Sequence, residues 1–187
     1  MTDFPPLLDA FVAHEHARID LAWHEAAHCV AGVLHGGTLT RAAITEGKRK
    51  GGTFGKPSGT TTFAALPSTR HAFVAYAGPW GQARGRLGRR PGPVDLRRVL
   101  DSTGCKDRDV LTATGGTDAG DAVVPALERC WSAVSAIAAK LLTAGAVTEA
   151  DVLAALKLSA DPATRTLEVS MICSGAAPGT FSVSRPA

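Results

Sequence analysis

Two histidines and a glutamate stand close together early in the chain, in the run His24-Glu25-Ala26-Ala27-His28. If this run is helical, the two histidines lie one turn apart on one face, where both imidazoles can bind the same divalent metal ion. Glu25 then lies about 100° around the helix, beside such an ion, where its carboxylate can take a proton from water. The pattern predicts a hydrolytic metal site. The alternative is a buried helix with two hydrogen-bonded histidines.

The elements that must position this motif can be read from the apolar pattern. Residues 7–35 are predicted to be helical, because apolar residues recur at helical spacing, and Gly36-Gly37 ends the helix. A hairpin is predicted next, with strands at 39–45 and 53–55, a turn at 46–52 and a loop at 56–62. Further helices are predicted from Ser68 onward, over 94–100, up to Leu111, over 121–144, and from Thr148 to Leu156. Gly78-Pro79 should bend the first of these or mark close contact with another backbone.

These elements predict an α+β fold that is mainly α-helical. A helix with the metal motif comes first, a small β-hairpin follows, and a helical bundle completes the domain. We expect one domain over residues 1–158. Residues 159–187 are rich in Ser, Ala, Pro and Thr, so a poorly ordered C-terminal tail is expected there.

Composition narrows the class of protein. The chain has 187 residues, 45% of them hydrophobic, and a formal net charge of +3. It can therefore bury a core, and its bulk charge does not favour nucleic acid as a partner. It contains no run of eighteen apolar residues, and its first residues lack the pattern of a secretory signal, so we expect no membrane partner. The cysteines Cys29, Cys105, Cys130 and Cys173 form no CxxC pair, which favours free thiols and a cytoplasmic location.

A catalytic zinc site usually takes three ligands from the protein, and the motif supplies two. His35 lies about 10 Å along the helix from His28, too far to share a metal ion. Glu128 is placed on a downstream helix, although the apolar stripe of that helix points elsewhere. Asp107 and Asp109 follow the Ser-Thr-Gly turn at the start of a helix, where a carboxylate can reach out. The residue pattern alone leaves these candidates open.

A basic patch offers a different function. Arg84, Arg86, Arg89 and Arg90 lie close together in sequence, and a binding module could use the region from Arg84 to Arg98 to contact nucleic acid or an acidic protein partner. In this alternative the metal motif is catalytically inactive. The intact Glu25 argues against that, because a purely structural metal site has no use for it. His14 and His16 are expected to be surface side chains, and Lys48-Arg49-Lys50 a solvated turn.

The sequence resembles the peptidase domain of FtsH-type zinc metalloproteases over residues 20–157. The zinc helix of that family reads like His24-Glu25-Ala26-Ala27-His28-Cys29. Its Ala-Gly-x-x-x-Glx helix is similar to 77–82, and its Thr-Gly turn before an aspartate ligand is similar to 103–107. Ala27 replaces the glycine of the family. Compared with the spacing in the family, the aspartate lies one residue too early if it is Asp107 and one residue too late if it is Asp109. Asp107 is preferred, because Val110 and Leu111 then face the core below it.

This resemblance implies an activity and a set of roles. Zn²⁺ would be held by His24, His28 and Asp107, with Glu25 as the general base of a metalloendopeptidase. The expected substrates are peptides or unfolded proteins, and a hairpin edge near Ile44 is expected to pair with an extended substrate. The chain contains no Walker motif. ATP-driven unfolding of substrates is therefore not implied, and the expected peptidase is independent of ATP.

Overall fold

The structure is a computed structural model that describes residues 5–50 and 53–181. Its elements, in chain order, are helices α1 to α8 and strands β1 to β3. Their bounds are α1 Pro5–Leu34, β1 Thr38–Lys50, β2 Thr53–Ala65, α2 His71–Leu87, α3 Pro93–Leu100, α4 Cys105–Ala113, α5 Val124–Arg129, α6 Trp131–Ala144, β3 Ala146–Val147, α7 Glu149–Leu156 and α8 Pro162–Cys173. The predicted α+β, mainly α-helical class is confirmed, as is the order of helix, hairpin and helical bundle.

Helix α1 forms the centre of the fold and carries the metal motif. Its predicted apolar stripe is buried; the stripe comprises Ala22, Ala26, Cys29, Val30 and Val33. It packs against α2, α6 and the hairpin, so its second half is enclosed on several sides. The helix ends at Leu34, and Gly36 then adopts a positive φ of 81°. Glycine takes this conformation without the steric cost of a side chain, as the sequence predicts for this end.

The edge strand of the sheet is not the predicted one. Its order is β2-β1-β3, all antiparallel, so β1 is hydrogen-bonded on both sides. Ile44 pairs with Gly59 of β2, and its backbone N–H donates to the carbonyl of Gly145. The prediction that a substrate pairs near Ile44 is therefore wrong, because those backbone groups are already used.

The two hairpin strands extend into segments predicted as turn and loop. Residues 56–62 lie within β2, and β1 continues through residues 46–50, so the predicted loop and most of the predicted turn are wrong. Gly51 and Gly52, at the centre of that turn, lie outside the described residues. Pro57 lacks a backbone N–H, and such a residue is tolerated in an edge strand such as β2. Composition suggested a loop, whereas pairing with β1 makes a strand.

Helix α2 packs closely on α1 through glycines on one face. A methyl group at Gly78 would overlap the imidazole of His28, one at Gly81 would overlap Ala27, and one at Gly85 would overlap Trp23. The close contact at Gly78 is thus with histidine side chains of α1 and not, as the sequence suggested, with a backbone. Pro79 lies inside the helix. Because glycines form this face of α2, its backbone lies close to the metal motif on α1.

The C-terminal half departs from prediction in two places. The helix predicted over 121–144 is divided at Cys130 into α5 and α6, and the segment Thr117–Arg129 meets α6 at 87°. The break places Trp131 in a stack with Trp23 at 5.0 Å between ring centroids, a long-range contact that periodicity does not report. The expected tail is partly ordered as α8, whose Ile172 is fully buried. Residues 162–173 thus form a helix with one buried residue, while the poor packing of the tail and the division of the chain at residue 158 stay predictions.

Two short segments match their sequence signals. Thr148 caps α7, and the carboxylate of Asp151 accepts a hydrogen bond from the Thr148 backbone N–H. Helix α3 begins at Pro93, one residue before the helix predicted over 94–100, and α4 begins directly after the Thr-Gly turn. No single helix in the described part of the chain is both long and apolar enough to cross a membrane. Segments Thr117–Arg129 and Trp131–Ala144 reach that length and hydrophobicity only together, across their bend.

Candidate metal centre

Three side chains from two helices meet beside the second half of α1. The Nε2 atom of His24 lies 3.0 Å from Oδ2 of Asp107, and the Nε2 atom of His28 lies 3.4 Å from Oδ1 of the same carboxylate. One nitrogen or oxygen atom from each of the three residues lies within 4.8 Å of the others. Within residues 5–50 and 53–181, no other group of His, Cys, Asp and Glu meets this condition. The three residues could hold a metal ion.

The outer nitrogens of both imidazoles are held by acceptors on α2. His24 Nδ1 lies 3.1 Å from Oε1 of Gln82, and His28 Nδ1 lies 2.8 Å from the carbonyl oxygen of Val74. Each Nδ1 therefore donates, which leaves the Nε2 lone pairs directed at the shared position beside Asp107. Thr103 also donates to Gln82 Oε1, at 2.9 Å, and so fixes the amide. The tautomers required of two metal ligands are thus imposed by hydrogen bonds.

The charges of the metal-free cluster are strongly coupled. Burial alone would lower the pKa of His28, but the adjacent Asp107 carboxylate outweighs it and raises that pKa to about 9. Burial would raise the pKa of Asp107, but the two imidazoles hold it well below its usual range. At neutral pH a protonated His28 therefore faces an ionised Asp107. A divalent ion would replace that proton as the cation beside the carboxylate.

Glu25 is buried next to the cluster without being part of it. Its side chain is 5% exposed, and Oε2 accepts a hydrogen bond of 2.6 Å from the hydroxyl of Thr61 on β2. A methyl group at Gly59 would overlap its carboxylate, so a side chain at that point of the strand would displace Glu25 from its present position. Edge strand β2 therefore positions Glu25, while α4 supplies Asp107 to the cluster and α2 supplies the acceptors for both imidazoles.

An open cleft of about 670 Å³ leads to these residues. Helices α1, α2 and α4 and strand β2 all contribute to its lining. Its apolar lining residues include Leu21, Phe63, Leu66, Val74 and Val110. The cluster and Glu25 thus face a cavity large enough for several residues of a peptide, with apolar walls and a few polar groups at its base.

The other predicted ligands are elsewhere. His35 stacks on Phe73 at 4.5 Å, and burial lowers its pKa to about 4, with a smaller effect of Arg70. Glu128 forms an ion pair with Arg84 at 3.4 Å, and Asp109 is exposed outside the cluster.

The two upstream histidines also stay apart from the cluster. His16 is exposed as expected. His14 is buried and stacks on Phe54 at 5.1 Å, so the expectation of a surface side chain is wrong there.

Several supporting residues were missed by the sequence reading. Thr61 and Gly59 lay in the segment predicted as a loop, and Thr103 was read only as part of a turn. Gln82 was noticed only as part of a short pattern, with no role assigned. The one signal in the sequence was an amide side chain among the small residues of α2. That face of α2 packs against the helix that carries the motif. The contacts themselves depend on how α2 and β2 pack on α1.

The basic patch is largely neutralised by acidic neighbours. Arg86 pairs with Asp20, and Arg89 contacts Asp95 at 3.4 Å. Arg84 pairs with Glu128, and its guanidinium lies 4.8 Å from the ring centroid of Trp131. These three side chains serve local structure, whereas Arg90, Arg97 and Arg98 of the same region are exposed.

The Gln82 contact leads to a prediction about metal affinity. Gln82→Leu removes the acceptor for His24 Nδ1 while keeping a side chain of similar size. We expect zinc affinity to fall by roughly 10- to 100-fold, the usual cost of losing such a partner. Gln82→Glu is the matched control, because it keeps an acceptor oxygen for His24. Competition with a chromophoric zinc chelator measures both variants, and equal affinity for wild type and Gln82→Leu would contradict the role.

Comparison with protein-family models, with curated proteins and with solved structures found no match to this chain.

Proposed function

We propose that the protein is a zinc-dependent metalloendopeptidase whose activity does not require ATP. The observation that carries the proposal is a buried carboxylate, Glu25, held beside a His24–His28–Asp107 cluster at the base of one cleft. The resemblance to FtsH-type peptidases points the same way. This arrangement combines a metal-binding group with a separate proton acceptor, which a structural metal site does not need.

Zinc is proposed as the metal because of the three ligand residues and the glutamate beside them. Two imidazole nitrogens and one carboxylate oxygen suit a three-ligand catalytic zinc site. The same set also occurs in non-haem iron sites, but a glutamate directly after the first histidine supports hydrolysis. When bound, zinc supplies Lewis acidity that lowers the pKa of water to about 7 and polarises a carbonyl group.

The residues of the chain then have distinct roles. His24, His28 and Asp107 would bind the ion, and Gln82 and Val74 would orient the imidazoles. Glu25 would accept a proton from the attacking water and later deliver it to the leaving amine. Thr61 keeps that carboxylate turned toward the cleft through its hydrogen bond. The apolar wall would take the side chains of the substrate.

The substrate backbone would pair with β2. This strand is hydrogen-bonded to β1 on one side only, and residues 56–61 line the cleft. An extended peptide can add to such an edge through main-chain hydrogen bonds. Only an unstructured segment can present an extended backbone there, which supports peptides and unfolded proteins as substrates. All four cysteines are free, which supports a reducing, cytoplasmic location.

Metal content and hydrolysis test this function together. Protein purified without chelators should carry about one zinc ion per chain, and its cleavage of casein should follow the zinc content as a chelator is titrated in. Zinc added back should restore cleavage. Cleavage that persists in metal-free protein would refute the proposed chemistry. If the purified protein carries iron instead of zinc and cleaves nothing, a non-haem iron site formed by the same three residues would be favoured.

A further inference from the structure

The acidic groups of the cleft all have partners. Glu25 accepts from Thr61, Asp107 lies between the two imidazoles, and Asp20 is paired with Arg86. Together these are the carboxylates that line the cavity in the part of the chain that the structure describes. With a divalent ion bound, the two negative charges of Glu25 and Asp107 offset its charge. None of these acids therefore remains to attract or repel a substrate strongly.

Two cations in the same cleft have no such partner. Lys56 and Lys106 line the cavity and are exposed, and no described residue forms a hydrogen bond or ion pair with either ammonium group. His71 lines the cavity as a third basic side chain. The charge left for a substrate is therefore positive, and a water-filled cleft with apolar walls focuses such a field.

The two lysines lie on different structural elements that line the cleft. Lys56 lies on edge strand β2, three residues before Gly59, which is about 10 Å along the strand from the point where β2 meets Glu25. Lys106 lies in the first turn of α4, directly before Asp107. Strand β2 packs on α1, and α4 packs on α2. A peptide along β2 would therefore pass Lys56 at a distance from the site of cleavage and Lys106 close to it.

We infer that the cleft selects peptide segments with acidic side chains flanking the bond to be cleaved. This inference rests on the proposed peptidase function and specifies its substrate class. Glutamate or aspartate near the two ammonium groups forms ion pairs that neutral residues cannot form, while lysine or arginine is repelled. At about 7 Å in a solvated cleft, one such pair changes affinity by roughly three- to tenfold.

The test uses three fluorogenic peptides of equal length with glutamate, glutamine or lysine on both sides of a common scissile bond. For wild type with zinc, kcat/KM should be highest for the glutamate peptide and lowest for the lysine peptide. The double variant Lys56→Ala/Lys106→Ala should cleave all three at similar rates, and Lys56→Glu/Lys106→Glu should reverse the order. Arg97→Ala removes an exposed cation outside this cleft and should keep the wild-type order.

Binding separates this inference from the function on which it rests. Fluorescence anisotropy of the same peptides on zinc-loaded Glu25→Gln measures recognition without turnover. Cleavage of all three peptides at equal rates would overturn the inference and leave the peptidase. Lysine-dependent binding of the glutamate peptide without any cleavage by wild type would overturn the peptidase and keep the acidic preference. Neither cleavage nor preferential binding would overturn both.

Discussion

Glu25→Gln should bind zinc as wild type does and lose nearly all cleavage of casein. The amide keeps the size of the side chain and an oxygen that can accept the hydrogen bond from Thr61. It cannot accept a proton from water, and general-base catalysis contributes roughly 10²- to 10⁴-fold in rate. Zinc content, melting temperature and casein cleavage, measured side by side for both proteins, separate loss of chemistry from loss of structure.

Glu15→Gln is the matched control for this experiment. Glu15 lies on the same helix, almost three turns before Glu25, and pairs with Arg18 at 3.0 Å outside the cleft. The substitution changes the charge of α1 equally and should leave cleavage intact. Cleavage that survives Glu25→Gln would show that another site or another protein hydrolyses the substrate. Absence of cleavage by wild type, across several unfolded substrates, would favour the binding module.

Asp107→Ala should abolish zinc binding, and Asp109→Ala should keep it. The carboxylate of Asp107 is the only part of the cluster that comes from outside α1, so its loss leaves two ligands from one helix turn. Asp109 is exposed and lies beyond the first turn of α4, so its charge is worth at most a few tenths to about 1 kcal/mol. Elemental analysis after dialysis against zinc-containing buffer measures the difference.

The pair of variants also decides the register of the third ligand. Zinc lost from Asp109→Ala and kept by Asp107→Ala would contradict the arrangement of α4 described above. Zinc kept by both would move the third ligand to another group. Asp107→Asn is a useful third variant, because it preserves side-chain volume if the alanine variant folds poorly. It should also bind zinc less tightly, since a neutral amide is a weaker ligand than a carboxylate.

The motif and its helix could be predicted because both depend on local order. His24 and His28 recur at the helical period, and the same period marks the buried stripe of α1. The Thr-Gly turn before α4 likewise placed Asp107 at a helix start, which made it a candidate before any contact was known. The sequence already favoured it over Asp109, but its contacts with both imidazoles depend on the packing of α4 on α2.

The misplaced elements depend on contacts between distant segments. Residues 56–62 have the glycine, proline and serine content of a loop, yet they pair with β1 and hold Glu25 in place. The helix predicted over 121–144 keeps its apolar period through Cys130, but the stacking of Trp131 on Trp23 favours a bend. In both cases the partner lies far away in sequence, so local propensity is overridden by tertiary contacts.

The glycine face of α2 has a consequence for the order in which the protein folds. Gly78, Gly81 and Gly85 each cost an isolated helix about 1 kcal/mol relative to alanine, and a proline such as Pro79 about 3 kcal/mol. Segment 71–87 should therefore be poorly helical in a nascent chain and become a helix only as it docks on α1. That docking step also brings in the Val74 carbonyl and the Gln82 amide that set the imidazole tautomers. A partly folded chain thus has no complete site, and hydrolytic activity would begin only when the fold is finished.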